Sequence, residues 1–229
     1  MERRHGTASG ADEGTPRPVG HGTASGADEG RRLGAATVIG LSWVAGSFPF
    51  SFLAARAVRG VDLRKVGNGT VSGTSLYQVA GFGPLAVAGI LEVAKGAVGP
   101  LVARGRPRLS ALSAAAALLG HNWSPWLRGA GGRGLSPALG ATLVQAPEAA
   151  LWLLIGLTGG RLLRMTGLGS ALAIVTLPLP LRRRGAQGQV LAAALMAPMM
   201  AKRLTGNGRP ARRNVRTYLS RLAFDHDPA

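Results

Sequence analysis

The sequence predicts an all-α protein, a polytopic integral membrane bundle of about five to seven spans, counting broken half-helices. Only 16% of the 229 residues are charged, while 46% are hydrophobic. The apolar residues gather in blocks separated by short segments rich in Gly, Pro and Arg. A soluble bundle would show a polar face on most helices, whereas the run from Leu143 to Leu157 has Gln145 and Glu148 as its only strongly polar members. A membrane bundle therefore fits better than a soluble one.

The N-terminal residues 1–32 are predicted to form a disordered, low-complexity tail. The ten letters HGTASGADEG at residues 5–14 recur at residues 21–30. Small polar residues bury too little apolar surface to offset the entropy of ordering the chain. The duplication is either a binding repeat or a drifted low-complexity extension, and its composition favours the extension. The segment also lacks the apolar core of a signal peptide.

Apolar blocks follow the tail, and each is long enough for a membrane span or for part of one. They cover residues 33–57, 79–103, 109–119, 139–157, 168–181 and 190–200. A complete span needs about 20 residues, so the shorter blocks are expected to be half-helices. Pro178 and Pro180 should end or bend the fifth block. We therefore predict a membrane domain over residues 33–204 and a basic C-terminal tail at the membrane surface over residues 205–229.

The formal net charge of +17 restricts the partners of the chain. Aromatic residues are only 5% of the sequence, and the arginines lie mostly between apolar blocks rather than on one face of a soluble fold. This placement favours membrane lipids and phosphorylated substrates over nucleic acid, which we do not expect as a partner. The chain has no Cys and four His without metal-ligand spacing, so we expect neither a metal site nor a cofactor.

The first loop region, residues 61–75, combines glycines with basic and hydroxyl side chains. Glycine lets backbone N–H groups approach an anion closely, and a helix that begins near Ser75 would favour phosphate at its N-terminus. On its own, the pattern is more typical of a flexible loop than of a phosphate site. Its candidate phosphate-binding residues are Arg64, Gly67, Gly69, Thr70 and Thr74.

The second loop, residues 120–134, places a guanidinium inside a glycine-rich backbone. Its core is Gly131-Gly132-Arg133-Gly134, a sequence suited to holding phosphate. Trp123 is more typical of an interfacial anchor than of a catalytic residue, as is Trp126. His121 is either a structural hydrogen-bonding residue or a catalytic one.

Several motifs in order resemble those of the bacterial acyl-phosphate-dependent glycerol-3-phosphate acyltransferases, which are integral membrane proteins. Together they cover about residues 36–204, and their order within apolar blocks is more specific than any single glycine-rich loop. The matching segments are Gly46–Phe50, Asp62–Arg64, Gly67–Ser75, Glu92–Gly96, Gly120–Trp123 with Ala130–Gly134, and, more weakly, Gly167–Ser170.

The resemblance implies transfer of a fatty acyl group from acyl phosphate to glycerol 3-phosphate, which gives lysophosphatidic acid and inorganic phosphate in phospholipid synthesis. It also implies a multi-pass protein of the cell membrane, with one cytoplasm-facing pocket that binds both substrates. The candidate catalytic residues are His121, Asn122 and Ser47. The candidate phosphate- and substrate-binding residues are Arg64, Gly67, Gly69, Thr70, Thr74, Lys95, Gly131, Gly132, Arg133, Gly134 and Ser170.

The chain departs from the family pattern mainly at polar positions. Thr70 and Ser75 replace asparagines, Gln78 falls where the family has Arg, Ala130 replaces a Lys, and Arg133 replaces another. The C-terminal motif of the family matches residues 196–204 or 213–216, and its His is absent in both registers. Two alternatives to an active acyltransferase follow: a weakened relative that binds a phosphorylated lipid or partner without turnover, and a small membrane transporter. A transporter usually shows two similar halves, and outside the tail the sequence shows none.

Overall fold

A computed structural model of the chain describes residues 24–208, 210 and 214–226, with side chains from residue 34 onward. Within these residues the protein consists of helices and loops and contains no strand, so the predicted all-α fold class is confirmed. The α-helices are α1 (Ala24–Ser47), α2 (Phe50–Arg59), α3 (Gly73–Ala80), α4 (Phe82–Val102), α5 (Pro107–Asn122), α6 (Leu135–Gln145), α7 (Pro147–Leu162), α8 (Thr166–Val175), α9 (Pro178–Leu181), α10 (Gly185–Thr205) and α11 (Val215–Phe224).

The first helix begins earlier than the sequence suggests. Its N-terminus is Ala24, whereas the first apolar block starts at Leu33 and the disordered tail was expected to reach residue 32. Once a helix has nucleated, each further residue adds a backbone hydrogen bond at low cost, so a helix can extend beyond its apolar part. The remainder of the predicted tail, residues 1–23, lies outside the described residues.

Prolines divide apolar blocks that read as continuous in the sequence. The block over residues 33–57 breaks between α1 and α2 at Pro49, and the block over residues 139–157 breaks where Pro147 begins α7. Pro178 likewise begins the short α9. Proline has no N–H to donate and fits the first turn of a helix. Each of these blocks therefore forms consecutive shorter helices instead of one long helix.

The helices pack closely because glycines line their contacts. α1 packs against α5, α4 against α6, and α7 against α8. A Cβ atom at Gly140 of α6 would collide with the carbonyl oxygen of Val93 in α4, and one at Gly46 of α1 would collide with that of Ala117 in α5. Small residues at helix crossings are typical of membrane bundles, where backbone proximity supplies van der Waals contact.

The outside of the bundle is apolar and its interior contains charge. Phe82 is 72% exposed, Ile90 70% and Leu162 78%, whereas Glu92 and Lys95 are almost fully buried. This distribution is expected of a bundle surrounded by lipid, in which ionisable groups face inward. Residues Gly34–Arg59 and Phe82–Val102 are each long and apolar enough to cross a membrane.

The described part of the C-terminal tail folds against the membrane domain. α10 ends at Thr205, and α11 packs against α8 and the end of α10. Arg221 of α11 donates to the carbonyl oxygens of Leu204, Thr205 and Gly208. The expected boundary at residue 204 therefore coincides with the end of a helix, but the segment beyond it belongs to the same folded body.

Candidate active site

One cavity of about 400 Å³ collects much of the predicted site. It lies between the loop that precedes α3, the adjoining ends of α5, α6, α8 and α10, and the residues that follow α11. Predicted site residues that line it are Gly67, Thr70, Thr74, His121, Arg133 and Ser170.

A buried carboxylate orients His121. Glu92 Oε2 lies 3.2 Å from His121 Nδ1 and 2.7 Å from Lys95 Nζ. The other oxygen, Oε1, accepts a hydrogen bond from the backbone N–H of Ser51, and Lys95 also donates to the carbonyl of Phe48. With its Nδ1–H directed at Glu92, His121 keeps a lone pair on Nε2, which lies next to the backbone of Gly132.

Glu92 was not among the predicted site residues, although the sequence contained the signal. The segment Glu92–Gly96 matches a motif of the resembled family, but only Lys95 was taken from it as a candidate. The structure gives the two residues complementary roles. Glu92 reaches the cavity wall together with His121, while Lys95 stays behind it and neutralises Glu92.

Gly131 and Gly132 lie behind the cavity rather than in its wall. A Cβ atom at Gly131 would collide with the carbonyl of His121, and one at Gly132 would collide with the His121 imidazole. Their N–H groups already donate within the protein, that of Gly131 to Asn207 Oδ1 and that of Gly132 to the His121 carbonyl. The missing side chains of these glycines therefore allow the backbone to pack directly against His121. The sequence suggested that their N–H groups bind a ligand, but in the structure these groups donate within the protein.

Arg133 brings its guanidinium to the cavity and makes contacts on two sides. Its Nε lies 2.5 Å from Oδ1 of Asp225, which follows α11, and its Nη1 donates to the carbonyl of Lys202 at 3.0 Å. The side chain is 9% exposed. The guanidinium therefore sits where charge is poorly screened, in a place that favours an anionic group.

Arg203 is a second guanidinium in the cavity and was not predicted. It donates to the Ser170 hydroxyl and to the carbonyls of Gly167 and Leu222. Among the described residues no carboxylate lies within ion-pair distance of this almost fully buried side chain. Its hydrogen bonds all go to neutral oxygens, although the negative charge of Asp225 also acts on it. A buried cation in such a place is expected to favour an anionic ligand. The available signal was the match of residues 196–204 to the family's C-terminal segment.

The loop before α3 lines the opposite wall. The Ser72 hydroxyl caps α3 by accepting from the N–H of Ser75, and the Asn68 side chain accepts from the N–H of Thr70. Thr74 lies in the first turn of α3, where unpaired N–H groups and the helix dipole favour anions. The positive φ angles of Gly67 and Gly69, 55° and 71°, allow the loop to turn. Gly69 itself does not line the cavity.

Arg64 does not reach the cavity. Its Nε and Nη2 donate to the two carboxylate oxygens of Asp62 at 3.0 and 2.7 Å, and its guanidinium lies 5.4 Å from the centre of the Phe52 ring. The hydrogen bonds from Arg64 lower the pKa of Asp62 to about 2. The carboxylate of Asp62 therefore accepts the hydrogen bonds from Arg64 that a phosphate was expected to accept.

Three other predicted residues support the site from outside the cavity. The Asn122 amide is buried and donates to the carbonyl of Pro198 in α10. Ser47 accepts from the Trp126 indole N–H. Gly134, with φ of 80°, precedes the first residue of α6. Asn207, which was not predicted, donates to the carbonyls of Gly69 and Gly131 and so joins the two glycine-rich loops.

The geometry provides two arginines for anions and a carboxylate-oriented histidine for proton transfer. Within the described part of the chain no group of three or more His, Cys, Asp or Glu side chains is arranged to hold a metal ion. Such a site suits transfer chemistry between phosphorylated molecules.

Comparison with known sequences supports this chemistry. A sequence model of the glycerol-3-phosphate acyltransferase family matches residues 36–210. The glycerol-3-phosphate acyltransferase of Synechococcus sp. (strain CC9902) is 31% identical over 172 residues, which cover 73% of this chain and 86% of the relative. That of Desulforudis audaxviator (strain MP104C) is 37% identical over 155 residues, covering 64% of this chain and 76% of the relative.

Solved structures give the same result. The crystal structure of PlsY (YgiH), an integral membrane glycerol 3-phosphate acyltransferase, in its glycerol 3-phosphate form superposes with a TM-score of 0.67 at 26% identity. The alignment covers 73% of this chain and 87% of that one. The lysophosphatidic acid form has a TM-score of 0.62 at 22% identity, covers 76% and 94% of the two chains, and supports the shared fold.

Proposed function

This chain belongs to the glycerol-3-phosphate acyltransferase family, and we propose that it transfers a fatty acyl group from acyl phosphate to the 1-hydroxyl of glycerol 3-phosphate. The products are lysophosphatidic acid and inorganic phosphate. The reaction needs no cofactor, because acyl phosphate is already an activated mixed anhydride. The protein has to hold two anionic molecules, orient the hydroxyl and stabilise developing charge.

The observation that carries the proposal is the pairing of two buried arginines with a histidine in one cavity. Arg133 and Arg203 neutralise phosphate, and the Ser170 hydroxyl adds a contact on the same side. The loop over residues 67–74 supplies N–H and hydroxyl donors on the other side. One wall therefore suits the phosphate of glycerol 3-phosphate, and the other suits that of the acyl donor.

His121 is the proposed general base. As the 1-hydroxyl oxygen of glycerol 3-phosphate attacks the acyl carbonyl carbon, His121 Nε2 takes its proton, and the positive charge on the imidazole is stabilised by Glu92. The new ester C–O bond forms, the C–O bond to phosphate breaks, and phosphate leaves with the bonding electron pair. The proton then passes from His121 to the departing phosphate or to water.

Ser47 and Asn122 have positioning roles in this account. Ser47 holds the loop that carries Trp126, and Asn122 fixes the end of α5 next to His121 against α10. Lys95 acts through Glu92, whose carboxylate it contacts at 2.7 Å from behind the cavity wall. The side chains of Ser47, Asn122 and Lys95 do not line the 400 Å³ cavity.

The chain lies in a membrane, as its apolar surface and its relatives indicate. We further propose a multi-pass arrangement in the cell membrane, with the cavity facing the cytoplasm. The shorter helices then combine to complete further crossings beside the two long apolar segments. A cytoplasmic opening is consistent with substrates that are soluble or partly soluble phosphorylated metabolites.

Product analysis tests the proposed function. The purified full-length protein, supplied with acyl phosphate and glycerol 3-phosphate, is expected to form lysophosphatidic acid, detected by mass spectrometry. The substitution His121→Gln should lower the rate by about 10²–10⁴-fold, the usual contribution of a general base, with glycerol 3-phosphate binding retained. Glu148→Gln, which alters an exposed ion pair with Arg184 at the other end of the bundle, is the control. An unchanged rate in His121→Gln would remove His121 from the mechanism, and absence of product in the parent protein would refute the function.

A further inference from the structure

The helix α11 contributes to the cavity although it lies outside the part of the chain that matches the family. The family match ends at residue 210, and α11 spans Val215–Phe224. Phe224, Asp225 and His226 nevertheless line the cavity. This segment lies beyond the residues that the family model matches, and its effect on the reaction has to be sought in the contacts it makes.

The most important of these contacts is between Asp225 and Arg133. The two side chains are 2.5 Å apart at Oδ1 and Nε, and they are 18% and 9% exposed. A carboxylate and a phosphate are bound by guanidinium in the same way, through N–H donors directed at two oxygens. Asp225 therefore presents to Arg133 the same kind of group as a phosphorylated substrate does.

Several hydrogen bonds hold Asp225 in this place. Asn68 donates its amide N–H to the backbone carbonyl of Asp225 at 2.9 Å, and Arg203 donates to the carbonyl of Leu222 at 2.8 Å. A side chain at Gly167 of α8 would collide with the carbonyl of Phe224. The backbone around Asp225 is thus held from both walls of the cavity, and this places the carboxylate beside Arg133.

We propose that Asp225 is an internal anion that occupies the phosphate position at Arg133 and competes there with the phosphorylated substrate. The C-terminal helix then sets substrate affinity, because phosphate has to replace an existing ion pair instead of entering an open site. Arg203 lines the same cavity and has no carboxylate within ion-pair distance among the described residues, so it offers a second guanidinium to the incoming phosphate. The inference rests on the proposed function for the identity of the substrate.

The backbone of Asp225 determines which substitutions can test this competition. Its φ and ψ are 64° and 24°, in the left-handed region. Asn and Gly both adopt this conformation readily, whereas Ala does so at a cost. Asp225→Asn keeps the shape and removes the charge, and Asp225→Gly removes the side chain altogether. Both variants should therefore fold with α11 in place.

The experiment is calorimetric titration of the full-length protein in detergent with inorganic phosphate and, separately, with glycerol 3-phosphate. Asp225→Asn and Asp225→Gly are each expected to bind both ligands about two- to fivefold more tightly, as for loss of a partly screened ion pair. Glu148→Gln is the matched control, since it removes the same charge from another carboxylate–arginine pair, that with Arg184, and should leave both affinities unchanged. In an Arg133→Ala background the Asp225 substitutions should have no effect.

Two results would overturn the inference. Weaker binding in Asp225→Asn would mean that the carboxylate positions Arg133 for phosphate instead of competing with it. Unchanged binding in both variants would mean that phosphate does not use the Arg133 position occupied by Asp225. Because inorganic phosphate binding needs no turnover, tighter binding in a protein that forms no lysophosphatidic acid would keep the competition and refute only the proposed function.

Discussion

Arg133 and Arg64 carry the same guanidinium group in different environments. Both lie in basic, glycine-rich loops, and the sequence alone suggested phosphate binding for each. In the structure Arg133 is buried in the cavity wall, whereas the Arg64 guanidinium is paired with its near neighbour Asp62 outside the cavity. Each guanidinium lies beside an aspartate, so the difference between them is that Arg133 lines the cavity and Arg64 does not.

This difference gives a direct prediction for ligand binding. Arg133→Ala should weaken glycerol 3-phosphate binding by about 1.5–3 kcal/mol, the usual value of a hydrogen bond to a charged group. Arg64→Ala should leave the affinity unchanged. Titration calorimetry on folded variants measures both. A loss of affinity in Arg64→Ala as large as that in Arg133→Ala would contradict the placement of the phosphate site.

The buried group of Glu92, Lys95 and His121 gives a prediction for stability. Glu92→Gln leaves the Lys95 ammonium buried without its carboxylate, which is expected to cost about 3–5 kcal/mol. Glu148→Gln breaks an exposed pair and should cost about 1 kcal/mol or less. Denaturant unfolding in micelles compares them. The double substitution Glu92→Gln with Lys95→Met should recover part of the lost stability. If Glu92→Gln and Glu148→Gln lowered the free energy of unfolding equally, the result would argue against a buried ion pair.

The sequence identified candidate site residues that lie in local motifs. It did not identify those whose contacts join segments far apart in the sequence. His121, Arg133, Ser170 and Thr70 were candidates because each lies in a motif, and all four line the cavity. Asp225 could not be found, because its role depends on the packing of α11 beside a loop more than 80 residues earlier in the chain. Asn207, which joins two loops, was missed for the same reason.

At the scale of helices, composition predicted where the apolar blocks lie, and proline determines where some of the helices within them begin. The block over residues 79–103 became α4 almost unchanged, and the helix expected near Ser75 is α3. The run over residues 139–157 is divided at Pro147, where α7 begins. The mean hydropathy of the run does not reveal this break. The beginning of α1 was missed because residues 24–32 carry no apolar pattern.

The helix crossings predict opposite effects of the same substitution at two glycines. Gly140→Ala places a methyl group against the Val93 carbonyl at the contact of α6 with α4, which should destabilise the protein by about 1–3 kcal/mol. Gly89→Ala in α4 has open space and should stabilise by up to about 1 kcal/mol through helix propensity. Thermal unfolding in detergent distinguishes them. A neutral Gly140→Ala would show that the two helices can separate without cost.

For the whole molecule, the distribution of charge and apolar surface defines the environment. Side chains such as Phe82, Ile90 and Leu162 face outward, and Arg203 and Glu92 face inward. Sequence composition predicted this class because blocks of apolar residues need no knowledge of contacts. The number of crossings could not be read in the same way, because short helices separated by proline can each cross only part of the membrane.

The membrane assignment makes a simple biochemical prediction. The protein should remain in the membrane pellet after washing with carbonate or high salt, because apolar spans are held by hydrocarbon and not by charge. A peripheral protein held by its net charge of +17 would be released by the salt wash. Immunoblotting of pellet and supernatant gives the answer, and recovery in the supernatant after either wash would exclude spanning helices.

The central claim is that this cavity still catalyses acyl transfer, although Gln78 stands where the family has Arg and the histidine of the family's C-terminal motif is absent. Release of inorganic phosphate from acyl phosphate by the purified protein, with and without glycerol 3-phosphate, tests it most directly. We predict that phosphate appears only when glycerol 3-phosphate is present, one molecule for each lysophosphatidic acid formed. Binding of glycerol 3-phosphate without release of phosphate, or release at the same rate in its absence, would contradict the account.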